Sequence, residues 1–94
     1  MAQKTVQLRI HGRVQGVGYR DWTVRTAREF GVTGWVRNRA DGSVEALATG
    51  EADRIDRFVD ACRQGPRLAF VSSLKAVMVE AVPGLADFSQ RPTE

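Results

Sequence analysis

The chain has 94 residues, a length that suits one domain and leaves no room for a second. With 43% hydrophobic and 27% charged residues it reads as a soluble globular protein, which excludes disorder, collagen and low-complexity sequence. The net charge of +3 is split unevenly: residues 1–39 hold eight Lys/Arg against two acids, whereas 40–94 hold six against nine, so the N-terminal half favours an anionic ligand.

Val6, Leu8 and Ile10 alternate with Gln7, Arg9 and His11, the period of a strand with one buried face, and predict a first strand from Lys4 to His11. A loop punctuated by Gly12, Gly16 and Gly18 follows. Tyr19, Trp22, Ala27 and Phe30 then recur at near-helical spacing, which predicts a helix over Arg20–Phe30 that stops at Gly31. Thr33 to Arg39 and Ser43 to Thr49 are rich in β-branched and aromatic residues and flank Ala40-Asp41-Gly42, whose Asp-Gly pair favours a tight hairpin. They form the second and third strands.

Ile55, Phe58, Val59 and Cys62 fall at i, i+3, i+4 and i+7, an apolar stripe that predicts a second helix ending at Gly65-Pro66. Asp53 and Arg57 are spaced to pair on its opposite face, and Asp53, Asp56 and Asp60 read as a solvated run. Ser72 to Ala81 is a fourth strand with Leu74, Ala76 and Met78 on one side, and Asp87 to Arg91 a short edge piece. The order β-α-β-β-α-β implies an α+β, ferredoxin-like fold, an antiparallel sheet with both helices on one face, over residues 1–94 as a single domain.

Composition also limits the chemistry. One cysteine, Cys62, cannot form an internal disulfide, and one histidine, His11, is too few for a zinc site of the usual ligands, so no metal is expected. The uncharged apolar stretch near the C-terminus, Ala76 to Val79, falls far short of the ~18 residues of a membrane-spanning helix. Met1 to Thr5 lacks the apolar core of a secretory signal, and a cytoplasmic location is expected. Cys62 belongs to the apolar stripe and reads as a core thiol; its spacing to Arg67 is one residue short of a cysteine-phosphatase loop. His11 sits on the wet face of the first strand, and Trp22, Trp35 and Phe58 recur at spacings that suit core packing.

The glycine loop asks for more. Gly12, Gly16 and Gly18, between a strand end and a helix start, let the backbone take positive φ and turn several N–H groups toward one point. The helix N-terminus and Arg20 in its first turn would add positive charge and a planar fork suited to a phosphate. The alternative is a tight turn followed by a solvent-exposed arginine. The spacing Gly-x-x-x-Gly-x-Gly is neither the dinucleotide fingerprint nor a Walker loop, so a bound phosphate would belong to a small molecule.

Gly12-Arg13-Val14-Gln15-Gly16-Val17-Gly18-Tyr19-Arg20 closely resembles the signature of the acylphosphatases, which hydrolyse the carboxyl-phosphate bond. Gly34-Trp35-Val36-Arg37-Asn38 with Asp41-Gly42-Ser43-Val44-Glu45 resembles that family's second motif, and Gly65-Pro66 with Ala69 and Val71 its pattern after the second helix. The resemblance spans nearly the whole chain and implies the same ferredoxin-like fold. By this similarity Arg20 and the backbone N–H groups of Gln15, Gly16, Val17, Gly18 and Tyr19 would hold the phosphoryl oxygens, and Asn38 the attacking water. It implies a metal-independent hydrolase with no cofactor and a small-molecule acyl phosphate as substrate. Inorganic phosphate would be product and inhibitor, no nucleic acid or membrane would be a partner, and the chain would act as a monomer. Tyr19 stands where the family more often has phenylalanine, and Phe70 where a basic residue is frequent. A non-catalytic anion-binding module is a second reading, since acylphosphatase-like domains also occur within larger maturation proteins. An RNA-binding domain of the same element order is a third, but the aromatic run that it needs on central strands is missing.

Overall fold

The computed structural model describes residues 2–94. Five strands and two helices follow in the order β1 (Gln3–Arg13), α1 (Tyr19–Phe30), β2 (Thr33–Asn38), β3 (Val44–Glu51), α2 (Ala52–Gln64), β4 (Phe70–Met78) and β5 (Phe88–Gln90). The strands form one sheet in the order β4-β1-β3-β2-β5. β1 pairs antiparallel with β3 and β4, and β2 antiparallel with β3, the ferredoxin-like arrangement. The expectation of a wholly antiparallel sheet needs one correction. β5 joins the edge of β2 in parallel, Gly34 opposite Phe88 and Val36 opposite Gln90, because the chain leaves β4 and enters β5 at the same end of the sheet, so β5 runs opposite to β4 and along β2.

Alternation in β1 does what its sequence pattern requires. Val6, Leu8 and Ile10 share one core with Val44, Ala46 and Ala48 of β3, Val36 of β2, Ala27 of α1 and Ile55, Phe58, Val59 and Cys62 of α2. Phe58 stacks edge-on against Phe88 of β5, ring centroids 5.8 Å apart, which closes the core at the β2 side. The helix α2 is fixed to β1 by Lys4 Nζ, 2.8 Å from Asp56 Oδ1. No Asp53–Arg57 pair forms among the described residues, although the i, i+4 spacing allows one. Among the described residues no helix is long and apolar enough to cross a membrane.

The helix-free face of the sheet is polar, and its centre is Glu45. The carboxylate is 5% exposed and receives Arg37 Nε at 2.9 Å, Arg39 Nη1 at 3.4 Å and Gln7 Nε2 at 2.5 Å. Trp35 also lies on this face. The guanidiniums of Arg37 and Arg91 lie over its ring, each 4.8 Å from the centroid. Trp35 is 9% exposed but stands outside the cluster between sheet and helices, which corrects the expectation that it packs in that core.

Burial would raise the Glu45 carboxyl, but hydrogen bonds from Arg37 and Gln7 and the charges of Arg37 and Arg39 outweigh it and hold it below the ordinary range. A group lowered in the folded state binds fewer protons there than in the unfolded chain, so its stabilisation is present above the unfolded value of ~4.3 and fades as pH drops through the folded value. We expect the melting temperature to hold steady above about pH 5 and to fall in more acidic buffer. Glu45→Gln should cost about 2–3 kcal/mol at neutral pH and shrink that acid-side fall. Thermal melts of both proteins across pH check this.

Candidate active site

The strand β1 leads directly into the glycine loop, and the loop directly into α1. Gly16 at φ 74° and Gly18 at φ 78° take left-handed backbone conformations that a side chain would strain, while no atom lies near enough to forbid a Cβ. Conformation alone demands glycine here. Gly18 is the N-cap of α1, and the first bond of the helix runs from Trp22 N to Gly18 O at 3.1 Å. Among the described residues none of the backbone N–H groups from Gln15 to Tyr19 donates to another backbone carbonyl. These amides and the positive end of the helix are therefore available to an anion at the loop.

Val14, Gly16, Gly18, Tyr19, Arg20, Asp21, Asn38 and Gln90 line one depression of about 100 Å³. Arg20, half-buried in the first turn of α1, makes no ion pair among the described residues. Its chain neighbour Asp21 is turned to Gln90 of β5, whose Nε2 donates to Asp21 Oδ1, so the nearby carboxylate is engaged away from the guanidinium. Asn38 ends β2 two residues after the core residue Val36 and so faces the helix side. Its Oδ1 is buried with no hydrogen-bond partner among the described residues, an expensive state for an amide unless something polar meets it.

One side chain ties the two halves of this arrangement together. Gln15 Nε2 donates to Arg39 O at 2.8 Å and to Ser43 O at 2.9 Å, the carbonyls that frame the hairpin turn just after Asn38. The turn closes on itself through Arg39 N to Ser43 O at 2.8 Å and through Asp41 Oδ1, which accepts from Ser43 N at 2.9 Å. Tyr19 braces the other side. Its hydroxyl donates to Cys62 O at 2.6 Å, a role open to tyrosine and closed to phenylalanine. Burial, with contact to Cys62, raises the Tyr19 hydroxyl far above its ordinary value, and burial pushes the Cys62 thiol up to about 12. Both stay protonated at neutral pH.

The sequence-derived residues Gly16, Gly18, Tyr19, Arg20 and Asn38 thus share one depression, while Gln15 and Val17 do not line it. Cys62 is fully buried under α2, and His11 is exposed on the helix-free face. Phe70 stands opposite Arg13 on the edge strand, 67% exposed and outside the depression. Sequence reasoning missed Asp21, Gln90 and the side-chain role of Gln15. The first two are 69 residues apart, and only the parallel docking of β5 brings them together.

Known proteins share this architecture. The acylphosphatase family model matches residues 6–90. A curated acylphosphatase of Rhodospirillum rubrum is 51% identical over 90 residues, covering 96% of this chain and 98% of that protein. The crystal structure of acylphosphatase from Bacillus subtilis superposes with a TM-score of 0.90 at 32% identity, over 96% of this chain and 99% of that one. Full-length HypF in its phosphate- and nucleotide-bound form matches with a TM-score of 0.88 at 26% identity, but this chain spans only 12% of it.

Proposed function

The chain belongs to the acylphosphatase family, and from that premise we propose that the loop amides of Gln15 to Tyr19 and the Arg20 guanidinium grip the phosphoryl group while Asn38 orients the attacking water. As an acylphosphatase it hydrolyses the carboxyl-phosphate bond of small-molecule acyl phosphates to carboxylate and inorganic phosphate. The observation that carries the residue roles is the convergence on one depression of the two loop glycines, Arg20 and the unpartnered Oδ1 of Asn38.

The chemistry asks little else of the protein. The departing carboxylate has a pKa near ~4, so it leaves without a proton at neutral pH, and no general acid is needed. What remains is to neutralise charge on the equatorial oxygens and to place water in line, the positioning and electrostatic work that dominates phosphoryl transfer. Arg20 and the amides do the first. Asn38 does the second, since an amide both accepts from and donates to water without deprotonating it. A phosphoryl oxygen takes the water's proton. Buried Cys62 and His11 on the far face of the sheet take no part. In this reading the enzyme works as a monomer without metal or cofactor, and inorganic phosphate, which fits the same cradle, inhibits it.

Benzoyl phosphate hydrolysis tests the scheme. Turnover should persist in EDTA with kcat broadly flat between about pH 6 and 8, lacking the bell shape that an essential acid and base produce. An alkyl phosphate monoester, whose alkoxide needs a proton to depart, should inhibit but react more than about 10³-fold slower. Efficient monoester cleavage, or a pH optimum that His11→Ala abolishes, would overturn the acid-free mechanism.

A further inference from the structure

On the helix-free face, one strip of the sheet departs from the usual rules of strand pairing. Arg9 of β1 stands directly opposite Lys75 of β4, with Gln7 opposite Val77 beside them and Arg13 opposite Phe70 further along. Like charges directly opposite each other on antiparallel strands destabilise the pair. Lys75 is exposed and has no carboxylate partner among the described residues.

Arg9 has long contacts on the β3 side, and its Nη1 donates to Ser43 Oγ at 3.5 Å. Its guanidinium lies 3.6 Å from Asp41 and 3.7 Å from Glu45, whereas Glu45 already holds Arg37 and Arg39 at shorter distance. Gln7, Arg9, Lys75 and Val77 line a depression of about 220 Å³, and Val77 is 52% exposed at its wall. An arginine and a lysine on one depression, the lysine without a carboxylate, leave it suited to an anion. An anion between two opposed cations turns their repulsion into attraction.

We propose that Arg9 and Lys75 form a second anion site, separate from the catalytic cradle, which takes the phosphate head of a small organic phosphate whose apolar body lies against Val77. The phosphate oxygens accept from the guanidinium and the ammonium, and Val77 supplies the apolar wall. No bond is made or broken there.

Phenylphosphonate, which resists hydrolysis, is the probe. In amide-resolved NMR titrations the amides of Gln7, Arg9, Lys75 and Val77 should shift with a midpoint of their own, distinct from that of Gly16, Gly18 and Arg20. Lys75→Gln should weaken the first response about tenfold or more and leave the second, and kcat, unchanged. The same variant should melt no lower than the parent, because it removes a like-charge contact. The proposal is overturned if the open-face amides stay still, if they move only with the loop's midpoint, or if their response survives in Lys75→Gln. A lower melting temperature for Lys75→Gln would also overturn it, since the lysine would then serve the fold. So would Lys75-dependent sedimentation with vesicles of phosphatidylcholine and phosphatidylglycerol in a protein indifferent to phenylphosphonate, which would assign the cations to a lipid surface. Failure at the open face leaves the loop titration intact, so the two sites stand or fall separately.

Discussion

Arg20→Ala is expected to lower turnover of benzoyl phosphate by about 10³-fold or more and to weaken binding of inorganic phosphate. Arg20 is the only cationic side chain among those lining the depression, so its loss leaves the amides and the helix end to face the phosphoryl charge alone. Arg20→Lys should recover little, because an ammonium is a point charge and cannot reproduce two parallel N–H donors. The fold should survive either change, since the guanidinium makes no ion pair among the described residues. Steady-state kinetics beside a circular-dichroism melt separate the effects. Near-parental activity in a folded Arg20→Ala would place the phosphate site elsewhere.

Asn38→Ala should behave differently, with kcat falling about 10²–10³-fold while phosphate affinity stays close to the parent's. A group that orients water acts mainly in the transition state and contributes little to holding product. Stability should change little, because the side-chain oxygen has no partner to lose and the backbone bond from Glu94 N to Asn38 O at 3.2 Å remains. Asn38→Asp offers a sharper contrast: it keeps the shape but sets a carboxylate against the phosphoryl group, so it should weaken phosphate binding as well as turnover. Equal loss of phosphate binding in Asn38→Ala, measured by calorimetry, would move Asn38 from water positioning to the cradle.

Much of the fold was legible because its signals are local. The alternation of Val6, Leu8 and Ile10, and the stripe from Ile55 to Cys62, report burial through spacing alone, and both face the core as their spacing requires. The three-residue β5 was harder: its position could be seen as a short edge piece, but so few residues carry no information on direction, and its parallel docking depends on the path of the chain from 79 to 87. Burial of Trp35 was legible, but the face was not, since a ring with arginines over it on the open face is as little exposed as one in a core.

The site divides the same way. Glycines and an arginine between a strand and a helix are visible in a single stretch of sequence, and Asn38 follows from the resemblance of its motif. The engagement of Asp21 by Gln90 and the reach of Gln15 to the hairpin are products of tertiary placement, and no local pattern encodes them.

The Gln15 clamp also constrains how this chain can lengthen. Its amide spans two carbonyls four residues apart, immediately after Asn38, so an insertion between Arg39 and Ser43 would separate the acceptors and shift Asn38 against the glycine loop. Residues 80 to 86 are mostly exposed, and Gly84 has open space around it. That stretch, rather than the hairpin, is where extra sequence or a grafted peptide can be accommodated without disturbing the spacing between Asn38 and the glycine loop.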